Sequence, residues 1–240
     1  MSLDEIVRRV RTSGFSVEET LREIFQKLIL YSIVECGLGK YYVFQGGTAL
    51  RIVYGSPRIS LDMDFTCIDR SIDLLSEDMA RFLGILTRLL GPDGISVSRA
   101  REKIFRSEGF YRCFFVFNTI KFLGRKLRMK IEALIRKYKT EFRREVVEIE
   151  YPVRSAVGIL VKSPGQILAD KVASLAGGFR RGNIRWRDVF DIYWLKERFN
   201  GEIDRDYFKQ KFGSWMERPE DLVSLLKKNF SLMKKSPKLR

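Results

Sequence analysis

Apolar residues recur along this chain at two periods, and the switches between them mark out its predicted elements. Ser16 and Glu19 make an S-x-x-E start, after which Leu21, Ile24, Phe25 and Leu28 stand at helical spacing as far as Gly37. This predicts a long amphipathic helix ending near Cys36. Tyr41 to Phe44 reads as a short apolar strand broken by Gly46-Gly47, and Thr48 to Tyr54, closed by Gly55, reads as a second helix. From Ile59 to Thr66 the chain alternates without a slip. Ile59, Leu61, Met63 and Phe65 fall on one side and Ser60, Asp62, Asp64 and Thr66 on the other, the pattern of a half-buried strand.

Helical spacing returns over Leu74 to Leu90, and Gly91-Pro92-Asp93-Gly94 turns the chain into β segments at 96–105, 110–118 and 127–135, expected as a meander. In the last of these Leu127, Met129, Ile131, Ala133 and Ile135 share one face, which leaves Glu132 on the polar face with Arg128 and Lys130. Strands at 146–151 and 156–161 follow. Ser163-Pro164-Gly165-Gln166 is then a capped helix start with proline at its first position. Beyond it helices are expected at 166–176, 185–199, 203–212 and 219–232, with Trp186, Trp194 and Trp215 in core register. The fold class is therefore α+β: a mixed sheet flanked by helices over 1–163, then a C-terminal helical bundle over 164–240 ending in a basic tail. A cleft between the two parts is the expected site.

Composition narrows the chemistry. The 240 residues contain no histidine, so Ser-His-Asp triads, Cys-His pairs and His-ligated metals are excluded and acid–base or metal work falls to carboxylates and lysine. Cys36, Cys67 and Cys113 are odd in number and far apart. They form neither a disulfide framework nor a CxxC site and read as reduced thiols of a cytoplasmic protein. The longest apolar stretch, Leu28 to Val34, is shorter than the roughly 18 residues of a spanning helix, and Asp4 and Glu5 do not suit a secretory signal. No membrane partner is expected.

Lysine and arginine number 45 against 30 acidic residues, a net +15 that favours a polyanionic partner. Over Lys121–Arg144 ten basic residues face only Glu132 and Glu141, a local +8, with Phe122, Tyr138 and Phe142 interleaved where an unpaired base can stack. The RNA-binding candidates are Arg128, Lys130, Arg136, Lys137, Lys139, Arg180, Arg181 and Arg185. A solvated, self-repelling face is the alternative.

The most informative stretch is FQGGTALRIVYGSPRISLDMDF, Phe44 to Phe65. Gly46 and Gly47 precede a helix start, where free amides accept phosphate oxygens, and Asp62 and Asp64 project from one strand face, where they can share a divalent ion. Glu132, on a neighbouring strand, is the third carboxylate of a two-metal phosphoryl-transfer centre in this reading. A cross-strand ion pair would also explain it. Lys171 shares a helix face with Leu168, Val172 and Leu175, from which it either reaches a triphosphate or snorkels to solvent. Asp188 and Asp191 share the next helix's face and can hold Lys171 or Arg187, or meet the nucleotide.

This combination resembles the nucleotidyltransferase superfamily, whose pattern is a GG or GS turn, a D-x-D strand and a later carboxylate. More narrowly it resembles the AbiEii/AbiGii toxin family of MenT-like type IV toxin–antitoxin systems. The likeness rests on Gly46, Gly47, Thr48, Ala49 and Leu50 with Arg58, Ser60, Asp62, Asp64 and Phe65, and on Ala169-Asp170-Lys171 with Arg187-Asp188-Val189-Phe190-Asp191. It implies a nucleotidyltransferase-like sheet that moves a nucleoside monophosphate from an NTP to an acceptor hydroxyl, in some members the 3′ end of tRNA. It also implies Mg²⁺ or Mn²⁺ on Asp62, Asp64 and Glu132, and nucleotide contacts from Gly46, Gly47, Thr48, Arg58, Ser60 and Lys171. Asp188 and Asp191 join the catalytic set, and a cognate antitoxin is expected as a partner. Transfer to a small molecule or protein, and a non-catalytic RNA-binding module, remain as alternatives.

Overall fold

The computed structural model describes residues 2–181, 183, 185–200 and 202–212. The expected helix at 219–232, Trp215 and the basic tail lie outside them. In chain order the elements are α1 (Leu3–Ser13), α2 (Val17–Glu35), β1 (Tyr42–Gln45), α3 (Gly46–Ile52), β2 (Met63–Cys67), α4 (Leu75–Leu90), β3 (Val97–Phe105), β4 (Phe110–Phe117), α5 (Ile120–Leu123), β5 (Leu127–Ile135), β6 (Phe142–Ile149), β7 (Ser155–Lys162), α6 (Pro164–Arg180), α7 (Trp186–Phe199) and α8 (Arg205–Phe212). The chain divides into two compact units, one of Met1–Arg136 with Phe142–Val161 and one of Lys137–Glu141 with Lys162–Arg240.

Ser16 caps α2 as its spacing predicts, its hydroxyl accepting from the Glu19 amide at 3.3 Å. The segment ahead of it, for which no element was expected, is helical. Ser2 accepts from the Glu5 amide at 3.2 Å and Gly14 ends α1 at φ +77°, a left-handed conformation that suits glycine. Seven strands among the described residues form one mixed sheet in the order β3-β4-β5-β2-β1-β7-β6. The β3-β4-β5 meander is antiparallel. β5 runs parallel to β2, β2 antiparallel to β1, and β1 parallel to β7.

One face of this sheet is the core of the first unit. Tyr42 and Phe44 of β1, Met63 and Phe65 of β2, Met129 and Ile131 of β5, and Tyr111, Phe115 and Phe117 of β4 are all buried there. The helices seal that face: the Phe25 ring of α2 stacks on Phe117 with centroids 4.4 Å apart, and Phe82 of α4 meets Tyr42 edge-on at 5.5 Å. Asp78 of α4 is fully buried but matched, accepting from Tyr42 Oη and from the Arg70 guanidinium at 2.8 Å each. Because the core takes one strand face, the residues between the core positions share the other face, and Asp64, Glu132 and Arg112 are among them.

β2 is shorter than the alternation predicts. Its partner β1 ends where Gln45 pairs with Asp64 and α3 begins, so residues 59–62 have no β1 partner beside them. Ile59 and Leu61, expected in the core, are 39% and 43% exposed. The segment is tied instead by Gln26, whose buried amide donates to the Ser60 carbonyl at 2.8 Å, and by Thr48, whose hydroxyl donates to the Asp62 carbonyl.

In the second unit α6 packs on α7 and α8, and residues 137–141, expected with the sheet, group here instead. Glu141 donates its amide to Gln166 Oε1 at 3.0 Å, and its carbonyl accepts from the Ser163 amide at 3.0 Å. Lys162 is buried at 2% exposure, its ammonium 2.8 Å from Asp170 and 3.0 Å from the Tyr207 hydroxyl. Lys211 also pairs with Asp170. Burial opposes ionisation of Asp170, but the charges of Lys162 and Lys211 outweigh it and hold the carboxyl below its ordinary range. No helix among the described residues is long and apolar enough to cross a membrane.

Asp170→Asn leaves the Lys162 ammonium buried without its counter-charge and is expected to lower stability by about 3–5 kcal/mol, read from chemical denaturation followed by circular dichroism. The wild-type contribution of Asp170 should be intact at neutral pH and vanish as pH falls through its depressed folded value.

Candidate active site

The chemistry of the open face begins at a backbone corner. Gly46 starts α3 at φ +78°, and a Cβ built there would lie 2.4 Å from Asp64 Oδ2. A Cβ on Gly47 would lie 2.4 Å from the Arg58 guanidinium and 2.8 Å from Ser60 Oγ. The two glycines are therefore what lets a carboxylate, a guanidinium and a hydroxyl close on the first turn of α3. That turn has no side-chain cap, because Gln45 turns its Oε1 away to accept from Thr66 at 2.8 Å.

Strand register then lays the polar groups in rows. Gln45 of β1, Asp64 of β2, Glu132 of β5 and Arg112 of β4 are successive cross-strand partners, each about 4.8 Å from the next. In the adjoining row Lys130 stands opposite Phe114. Its ammonium bridges Asp62 Oδ2 at 3.0 Å and Glu132 Oε2 at 3.1 Å. Glu132 Oε1 accepts from Arg112 Nε at 2.6 Å. Burial alone would lower the Lys130 pKa, but the hydrogen bond and charge of Asp62, with those of Glu132, more than offset it and hold the ammonium above its ordinary range.

Asp62, Asp64 and Glu132 thus come to one neighbourhood, but not around a common ion position. Among the described residues no group of three or more acidic or cysteine side chains is arranged to hold a metal; Glu132 is occupied by Arg112 and Lys130, and a lysine fills the place between Asp62 and Glu132. The donor set still fits a hard divalent cation. Carboxylate oxygens are its ordinary ligands, and two of these carboxylates already converge on a single positive charge. What fits is an open seat completed by phosphate and water, not an all-protein cage.

Of the nucleotide-binding candidates, Gly46, Gly47, Arg58 and Ser60 are gathered at this corner. Thr48 is not available to a ligand. It is fully buried, and its hydroxyl anchors the Asp62 backbone.

Lys171, Asp188 and Asp191 come together in the second unit. The Lys171 ammonium lies 2.7 Å from Asp191 Oδ2 and 3.1 Å from Asp188 Oδ1, both aspartates being buried. Arg185 Nε lies 3.1 Å from Asp188 Oδ2, while Arg187 is exposed.

The basic residues are dispersed over both units and partly consumed by ion pairs. Arg128 is exposed with its guanidinium over the Phe114 ring at 5.3 Å. Arg136 pairs with Asp69 at 3.3 Å, and Lys130 belongs to the carboxylates. Lys137, Lys139, Arg181 and Arg185 are exposed in the second unit. The side chain of Arg180 is outside the described residues. Sequence reasoning passed over Arg112, Gln45 and Gln26; the signal for Arg112 was its place on the polar face of β4, opposite Glu132 once the register is known.

The family model described as the nucleotidyl transferase AbiEii toxin of type IV toxin–antitoxin systems matches residues 28–236. Among solved structures the fold is similar to JHP933 from Helicobacter pylori, with a TM-score of 0.55 and 19% identity over 90% of this chain and 82% of that one. It is also similar to MenT4, a nucleotidyltransferase toxin from Mycobacterium tuberculosis H37Rv, with a TM-score of 0.57 and 16% identity over 88% of this chain and 69% of that one. No curated protein matches the sequence.

Gly55 shares the positive φ of Gly46, at +79°, but has open space where a Cβ would be. Gly55→Ala should therefore report left-handed strain alone, about 1–2 kcal/mol. Gly46→Ala should cost at least about 1 kcal/mol more, since Asp64 must move. Urea denaturation of the two variants measures the difference, and equal losses would mean that Asp64 does not press on the corner.

Proposed function

The chain belongs to the AbiEii nucleotidyltransferase toxin family of type IV toxin–antitoxin systems, and from that premise we propose that it transfers a nucleoside monophosphate from an NTP to the 3′ end of tRNA with Mg²⁺ or Mn²⁺. Family membership makes it a nucleotidyltransferase with an NTP substrate and a cognate antitoxin. The observation that carries the finer reading is the convergence of Asp64, Ser60 and Arg58 on the Gly46-Gly47 corner, with the Asp62 backbone tied to the same turn by Thr48.

In this reading the Gly46 and Gly47 backbone and Ser60 seat the triphosphate, and Arg58 takes part of its charge. Asp62 and Asp64 would hold the divalent ion, with Glu132 beside Asp64 as the third donor. When bound, the ion neutralises phosphate oxygens and acidifies the acceptor hydroxyl. Thr48 and Gln26 act from behind, fixing the backbone of Asp62 and Ser60 so that the groups are set before substrate arrives. Lys130 carries the counter-charge of Asp62 and Glu132 and is placed to pass its ammonium to a substrate phosphate. In the second unit Asp188 and Asp191 fix the Lys171 ammonium, and we keep these three in the catalytic set on the strength of the family pattern.

The net +15 and the exposed Arg128, Lys137, Lys139 and Arg181 favour a polyanion over a small neutral alcohol. Incubation with each α-labelled NTP, Mg²⁺ and total RNA should label a tRNA-sized species. Asp62→Ala should abolish that labelling, a loss of at least about 10³-fold, with unchanged circular dichroism. Label on protein or on a small molecule would replace the RNA acceptor, and an Asp62→Ala variant as active as wild type would remove the catalytic assignment.

A further inference from the structure

β4 is apolar on both sides. Tyr111, Cys113, Phe115 and Phe117 fill the core, while Phe110 and Phe114 stand between them on the open face, half-buried. A solvated face of an antiparallel sheet ordinarily alternates to polar residues, so these rings need an account. Each is joined by a guanidinium. Arg112 lies over Phe110 at 5.2 Å and Arg128 over Phe114 at 5.3 Å, and Phe105 of β3, 36% exposed, extends the row with its centroid 5.7 Å from that of Phe110.

The row does not end in neutral surface. Arg112 is the cross-strand partner of Glu132 and Phe114 that of Lys130, the two residues that close the carboxylate site. Same-face side chains on a strand are spaced about 7 Å apart, the order of one step along an extended polynucleotide, so Phe110 and Phe114 stand two such steps apart with the Arg112 guanidinium between them. Phenyl rings and guanidinium planes are the surfaces on which unpaired bases stack, and the fixed cations answer the phosphates between them.

We propose that the open face of β3, β4 and β5 is the platform on which the unpaired 3′ end of the acceptor RNA lies, its bases on Phe105, Phe110 and Phe114 and its terminal hydroxyl toward Asp62 and Asp64. This rests on the RNA-acceptor reading above and adds the surface that reads the strand. It specifies a single strand, because a paired helix keeps its base faces stacked on one another and offers this surface only its backbone.

The test is fluorescence anisotropy of a labelled single-stranded oligoribonucleotide, and of its duplex, titrated without NTP with wild type, Phe114→Ala/Arg128→Ala and Phe114→Trp. Melting temperatures serve as the folding control. The double variant should bind the single strand at least about tenfold more weakly, Phe114→Trp should bind about as tightly as wild type, and the duplex should bind wild type more weakly than the single strand. Equal affinity of wild type and the double variant overturns the proposal and turns the search for the occupant of this face to a protein partner. Equal affinity for duplex and single strand overturns it too, since only backbone charge would then be read. Wild-type transfer to total RNA, measured separately, reports on the acceptor reading. Phe114-dependent binding without any transfer would remove that reading and leave the stacking face in place.

Discussion

The site depends on how closely two side-chain groups approach one piece of backbone. Asp64 Oδ2 and Ser60 Oγ lie only 2.4 and 2.8 Å from where the Cβ atoms of residues 46 and 47 would be in any other amino acid. Only a glycine pair admits them, and Gly46 must also take a left-handed φ. From that corner the rest follows by register. Asp64 is held beside Gln45 on one strand and Glu132 on the other, and Asp62 is held by the Thr48 hydroxyl at the mouth of the same strand. The core on the opposite face makes this arrangement rigid, since a one-residue slip of β2 would bury Asp64 and expose Phe65.

Electrostatics explains why such an acidic cluster sits in so basic a chain. Asp62, Asp64 and Glu132 on one face would repel one another. Lys130 answers two of them and Arg112 answers Glu132 a second time. The second unit uses the same device twice, Lys171 between Asp188 and Asp191 and Lys162 against Asp170. In each case a lysine is partly or wholly withdrawn from water and kept there by carboxylates. Several of the cations therefore serve internal acids, and since such pairs cancel in the net +15, the excess that can meet a polyanion is carried by other residues.

Much of this was legible in the sequence wherever local rules decide the outcome. The Ser16 cap, the β3-β4-β5 meander, the burial of Met63 and Phe65, and the side of β5 that Glu132 takes all follow from period and turn chemistry. Local rules failed where long-range pairing took over. Ile59 and Leu61 alternate like strand residues but lack a β1 partner, so they are exposed. α1 escaped notice because Arg8, Arg9 and Arg11 dilute its pattern, leaving Leu3 and Val7 as its buried residues. Thr48 reads as a ligand at a helix start, yet its hydroxyl is used internally. Lys130 reads as one more surface cation; only the register of β5 beside β2 shows it standing between two carboxylates.

The central claim is that the carboxylates beside the glycine corner form a cation seat in which Lys130 is the resident counter-charge. Anomalous diffraction from crystals soaked with Mn²⁺ and a non-hydrolysable NTP tests it most directly. The account predicts an anomalous peak ligated by Asp62 and Asp64 with the triphosphate against Gly46 and Gly47, and the Lys130 ammonium withdrawn from Asp62. A nucleotide bound elsewhere, or Asp62 still paired with Lys130 and the ion on other residues, would contradict it.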